Sequence, residues 1–251
     1  MQNAKCKNQN EGKPTETSKA LEDLFYRYTH LPLGGKEIVC PYWMNNLKEG
    51  IYGPFGGKGL PEQIVQATQD AARQRERNLT TMSEQEILDF MKQERIGIDC
   101  SGFVFWMLDC LDREKGGDGI ASDIPGCKGK VLECRANVEM LTSENVALSI
   151  LKVAEVKVGD MIRLGQGTHV AIVMRVRRVG KIGRITQIEY GHSSARTKIL
   201  GVHAAKIRIV DERKGLEAQK WEEMDKNGQN YGQTNLFPTA GDGLKRLKIG
   251  A

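Results

Sequence analysis

Ile98-Asp99-Cys100-Ser101-Gly102-Phe103-Val104 sets a cysteine at the junction between a charged turn and the strongly apolar run 103–108. The run reads as a buried helix. Asp99 is a good N-cap, and Cys100 is the first residue inside. A thiol at that position meets the positive end of the helix dipole and unpaired backbone N–H groups, and both favour the nucleophilic thiolate. The rest of the chain is read for the partners such a thiol needs.

On the N-terminal side, residues 1–17 are polar and are expected to be disordered. From Ser18, the positions Leu21, Leu24, Phe25 and Tyr28 recur at helical spacing, and Gly34-Gly35 stops the pattern. Residues 37–43 read as extended, with Pro41 arguing against a central strand. Residues 49–61 are punctuated by Gly and Pro and read as a loop. Pro61 opens a helix to about Asn78. Ser83 and Glu86 form a capping box for a second helix.

On the C-terminal side, the Cys100 helix is expected to run to about Asp112, followed by a long loop over 113–135. A helix is expected from Thr142 through Leu151. The period then changes to that of strands at 161–164, 168–177, 184–190 and 206–210. Residues 218–224 read as one or two helical turns, and 244–249 as an edge strand. Helices first and antiparallel strands after make an α+β protein.

The 251 residues and 39% apolar content allow a sizeable core, and the net charge of +5 is too mild to imply nucleic acid, so no nucleic-acid partner is expected. No apolar run is long enough for a membrane span. The polar N-terminus shows no signal peptide, which leaves a cytoplasmic location or export by another route. The six cysteines contain no CxxC pair, and the four histidines lack metal-ligand spacing with them, so neither a metal nor a cofactor is expected. A chain of this length does not need disulfide stapling.

A nucleophilic cysteine needs a base, and the base needs an orienting group. If Gly180-Lys181 is a two-residue hairpin loop, Val179 pairs with Ile182, and His169 faces His192 on one side of the sheet with Cβ atoms about 5 Å apart. Cys100, His169 and His192 then form a nucleophile, base and orienter set, with His203 as the alternative orienter.

These residues resemble a known family. Asp99-Cys100-Ser101-Gly102-Phe103-Val104 is similar to the nucleophile motif of the NlpC family of papain-like cell-wall cysteine peptidases. Val158-Gly159-Asp160-Met161-Ile162, followed by His169-Val170-Ala171-Ile172-Val173, resembles that family's second signature. The likeness covers roughly residues 36–195. It implies a papain-like fold with the nucleophile helix packed on an antiparallel β-sheet. It also implies Cys100 as nucleophile, His169 as base and acid, His192 as orienter, and a substrate contact at Tyr42. Asp99 and Ser101 would meet the substrate's amine end. Three features depart from the family pattern: a helical insertion over 61–95, a long hairpin, and a C-terminal extension over 212–251 beyond a catalytic domain of 18–211.

The function so implied is hydrolysis of amide bonds in peptidoglycan peptides or in another peptide or amide substrate. A papain-like acyltransferase or amidase with a non-wall substrate is the first alternative. A non-catalytic binding module of the same fold is the second.

Overall fold

A computed structural model describes residues 15–125, 127 and 136–248. The expected tail over 1–14 and most of the loop 113–135 beyond residue 125 lie outside these residues. The architecture is α+β, with helices packed on one mostly antiparallel sheet.

Helix α1 (Lys19–Thr29) is capped by the Ser18 side chain, which accepts from the Leu21 N–H. It stops well before Gly34-Gly35, because that pair is the turn of a small hairpin, β2 (Leu31–Leu33) with β3 (Lys36–Ile38). Ahead of α1, β1 (Glu16–Thr17) is ordered, which corrects the end of the expected disordered tail. The insertion forms α2 (Pro61–Gln74) and α3 (Glu84–Gln93), the latter with the expected Ser83–Glu86 capping box. Helix α4 (Cys100–Glu114) buries nearly all its first three turns, as an apolar run without a polar face requires.

The expected helix from Thr142 to Leu151 is replaced by a short α5 (Val138–Thr142) and a strand, β4 (Ala147–Ile150). Asn137 caps α5 at a position upstream of the Thr142-Ser143-Glu144 signal. The alternating Ala147 and Ser149 then pair across to the C-terminal strand. Strands β5 (Met161–Leu164), β6 (His169–Val179), β7 (Arg184–Ser194) and β8 (Gly201–Arg208) follow. Residues 218–224 form no helix. A 3-10 turn at Leu216–Ala218 leads into β9 (Lys220–Trp221), paired with β8. After α6 (Tyr231–Asn235) comes the last described strand, β10 (Gly243–Leu247).

The sheet order is β4-β10-β5-β6-β7-β8-β9, with β1 on the free part of the β6 edge. Strand β10 is therefore interior, between β4 and β5, not the edge strand its position at the chain end suggested. Its Arg246 clamps the Asp160 carboxylate with two bonds of 2.6 and 2.8 Å. Residues 212–248 thus contribute β9 and β10 to the same sheet as residues 161–208. One face of the sheet packs on the helices through Val170, Ile172 and Met174. The other, bearing Val173, Ile188 and Tyr190, is covered by Leu216, Trp221, Tyr231 and Leu236 of the C-terminal segment.

The β6–β7 turn has four residues, 180–183, not two: Val179 pairs with Arg184. Two register shifts interrupt the ladder, and its pairing ends at Ile172 with Gly191. A loop longer by an even number keeps the same residues on the same face, and the two shifts, one on each strand, cancel. His169 and His192 therefore stay on one face but meet diagonally.

Candidate active site

Asp99 has extended backbone angles, and its carboxylate accepts from the Gly102 N–H at 2.7 Å, so Cys100 opens α4 as expected. Cys100 is 5% exposed, and the nearby backbone amides of Val170 and Ser101 favour its charged form. Val170 is the strand residue next to His169. Burial, and then the Asp99 carboxylate, push the thiol up to about 11. The helix terminus alone suggested a depressed value. Here desolvation outweighs it, and the resting group is a thiol.

His169 is also buried. Burial first, and the neighbouring His192 second, hold it well below the usual histidine range, so it rests neutral. Its Nε2 lies 2.8 Å from His192 Nδ1. Its own Nδ1 makes no hydrogen bond among the described residues. His192 is fully buried, and burial lowers it too. Its Nε2 lies 3.0 Å from Glu223 Oε1 and 3.0 Å from His203 Nε2. His203 Nε2 in turn lies 2.7 Å from the same Glu223 oxygen. Tyr190 Oη donates to the other, Oε2. Burial alone would raise Glu223, but His192, His203 and Tyr190 together hold it well below the usual carboxylate range.

The structure thus puts His169 in direct contact with His192, with Cys100 near the residue after His169, and sets both candidate orienters, His192 and His203, side by side as direct partners across β7 and β8. The residue that sequence reasoning missed is Glu223. It sits two residues past β9 in a segment read as helical, and no local motif marks a lone glutamate there.

The cleft over Cys100 has a volume of about 740 Å³ and is lined by Asn45, Tyr52, Phe55, Lys58, Asp99 and Ser101 among others. The loop over 49–61 forms one wall. Trp106 Nε1 pins it through the Lys58 carbonyl at 2.7 Å, and the Asp99 N–H through that of Gly57 at 2.9 Å. Helix α2 adds Gln63, so the insertion borders the cleft. A separate depression of about 860 Å³ around Trp221 and Leu236 shares no lining residue with it.

Asp99 and Ser101 lie in the cleft but are engaged. Lys58 Nζ bonds both Asp99 oxygens and Ser101 Oγ, each at 2.7 Å. Tyr42 is half-buried beside Ile98, and its hydroxyl meets only the weak acceptor Met44 Sδ at 3.6 Å. Burial, and then a charge on Cys100, would raise Tyr42, which keeps its proton available to donate. The Cys100 N–H, first in the helix, makes no hydrogen bond to the described residues, as helix geometry dictates.

On the approach to His169, Asp242 is buried and takes the N–H groups of Gln166 and Gly167, together with Arg163 Nη1 at 2.8 Å. The C-terminal segment thereby fixes the turn from which His169 emerges. Cys40, Cys100 and Cys110 are free thiols, while Cys127 is disulfide-bonded, which corrects the expectation, drawn from chain length against an even cysteine count, that no disulfide is needed. Among the described residues, no helix is long and apolar enough to cross a membrane.

Compared with known proteins, the chain matches no family model, no curated protein and no solved structure.

Proposed function

We propose that the protein is a papain-like thiol hydrolase that cleaves amide bonds in bacterial wall peptides, with Cys100 as nucleophile, His169 as base and acid, and His192 as orienter. The observation that carries this reading is the Cys100 thiol at a helix start, near the Val170 amide and so beside a histidine whose Nε2 is held by His192. The NlpC-like motifs around Cys100 and His169 support the choice of substrate.

The sulfur attacks the amide carbonyl carbon as its proton passes to His169 Nδ1. The oxyanion accepts from the Cys100 N–H and from Tyr42 Oη. Collapse breaks the C–N bond, and His169 protonates the departing amine. Water, giving a proton to His169, then cleaves the thioester and restores the thiol. His192 steadies His169 by accepting its Nε2–H, and Glu223 steadies His192. The buried, neutral resting pair means that proton transfer accompanies attack rather than preceding it.

A second reading, an amidase or acyltransferase acting on a non-wall substrate, is favoured by Lys58. Its ammonium already satisfies Asp99, the group that the family likeness assigns to the substrate's amine end.

Digestion of purified muropeptides, read by mass spectrometry for wild type and Cys100→Ala side by side, tests the first reading. New fragments with wild type alone are expected. Intact muropeptides with a folded wild-type protein would move the assignment to the second reading.

A further inference from the structure

Three atoms converge behind His169. His192 Nε2, His203 Nε2 and Glu223 Oε1 are separated by 3.0, 2.7 and 3.0 Å, all on buried residues. His203 Nδ1 lies 3.0 Å from the Gly201 carbonyl oxygen, which can only accept, so that nitrogen carries a proton. A neutral His203 then turns a lone pair on Nε2 toward a carboxylate oxygen 2.7 Å away. Two acceptors at that distance require a cation between them.

Protons on His203 Nε2 and His192 Nε2, both given to Glu223 Oε1, satisfy the two edges at that oxygen but leave the two nitrogens 3.0 Å apart with nothing shared between them. A metal ion satisfies all three, since a point about 2 Å from each atom exists, the usual length for nitrogen and carboxylate bonds to zinc. The surroundings are those of ligands. His203 donates its other N–H to a backbone carbonyl, Glu223 is held at its second oxygen by Tyr190, and His192 has His169 at its other nitrogen. Tyr231, fully buried with its ring 5.8 Å from His192, carries a hydroxyl with no hydrogen-bond partner. The nearby Ser194 hydroxyl affects it without meeting hydrogen-bond geometry.

We propose that His192, His203 and Glu223 form a binding site for a divalent cation of the zinc class, and that filling it switches off the Cys100 site. Two nitrogens and one carboxylate oxygen suit Zn²⁺ and its relatives Co²⁺ and Ni²⁺ better than the oxygen-seeking Mg²⁺ or Ca²⁺. The switch, which rests on the hydrolase reading above, works through one proton. With the site empty, His192 Nε2–H donates to Glu223, His192 Nδ1 accepts from His169 Nε2–H, and His169 Nδ1 is free to take the thiol proton. With a metal on His192 Nε2, the His192 proton moves to Nδ1 and is donated to His169 Nε2. Neutral His169 must then carry its own proton on Nδ1, where it cannot act as base for Cys100.

The test uses the full chain, stripped with chelator and given Zn²⁺ alone. In a Cys100→Ala background, which removes the thiol as a competing ligand, equilibrium dialysis is expected to show one tightly held Zn²⁺ per chain. His203→Ala and Glu223→Gln are each expected to weaken it by at least 100-fold. X-ray absorption at the zinc edge on the same protein, with every proposed ligand intact, is expected to show nitrogen and oxygen neighbours with imidazole scattering. This readout stands even if the ligand variants misfold. In wild type, saturating Zn²⁺ is expected to slow Cys100 alkylation at least tenfold, and not in His203→Ala. No bound Zn²⁺, or a first shell containing sulfur, overturns the site. A filled site with an unchanged alkylation rate overturns the switch. Muropeptide inactivity of the metal-free enzyme overturns the hydrolase reading alone, because metal binding is measured without substrate.

Discussion

His169 Nε2 and His192 Nδ1 lie 2.8 Å apart, so the one proton on that line decides whether the other nitrogen of neutral His169 donates or accepts. Replacing His192 with Phe keeps the ring volume and removes that control. We expect kcat for amide cleavage to fall about 10²-fold, in the range lost when general acid–base catalysis is impaired, with KM little changed. Steady-state kinetics on a wall peptide reads the split. A loss confined to KM would place His192 in substrate binding instead.

Lys58 and Asp99 form a largely buried ion pair at the lip of the cleft. Removing one partner leaves an uncompensated buried charge, which typically costs about 3–5 kcal/mol. Lys58→Met is therefore expected to lower the urea midpoint sharply, and the double variant Lys58→Met/Asp99→Asn to recover much of the loss. Additive effects in the double-mutant cycle would contradict a direct coupling.

Truncation after residue 211 removes β10 from the middle of the sheet, Arg246 from Asp160, Asp242 from the turn before His169, and Glu223 from His192. The shortened chain is expected to lose cooperative unfolding in denaturant, rather than to behave as a trimmed domain. A milder probe is Asp242→Ala. Because Asp242 also pairs with the largely buried Arg163, the variant is expected to lower the urea midpoint as well as kcat, and Asp242→Asn, which keeps an acceptor for the Gln166 and Gly167 N–H groups, to recover part of both.

Alkali should weaken the fold. Burial holds the Cys100 thiol up to about 11, whereas in the unfolded chain it titrates near 8.5. Between these values the unfolded state has lost a proton that the folded state keeps, so stability is complete below about 8.5 and falls as pH rises toward 11. At about 1.4 kcal/mol per pH unit, Cys100 accounts for roughly 2–3 kcal/mol of loss. Denaturant midpoints at neutral pH and near pH 10.5 check this. The drop is expected to be smaller in Cys100→Ala than in wild type.

The start of α4 was legible because an N-cap, a small-residue pair and an apolar run all act within a few residues of Cys100. The two histidines were legible as sharing a face because strand alternation survives an even change in loop length, and because the two bulges, which no residue pattern announces, fall on opposite strands and cancel. What was not legible depended on long-range pairing. β10 looks like an edge because nothing in residues 243–247 records that β4 and β5 lie on either side. Glu223 looked helical because Ala, Glu, Lys and Met around it have helical propensity, while pairing of Lys220–Trp221 with β8 decides the local backbone. The low thiol reactivity expected at rest also comes from burial, which the helix-start argument did not include.

The alkylation rate of Cys100, followed by peptide mass spectrometry across pH 5–11 in wild type and His169→Ala, tests most directly whether these residues form a working pair. The account predicts a wild-type rate at neutral pH at least tenfold above that of His169→Ala, with the two curves converging only in strong alkali. Superimposable curves, each rising near the free-thiol value of about 8.5, would contradict it.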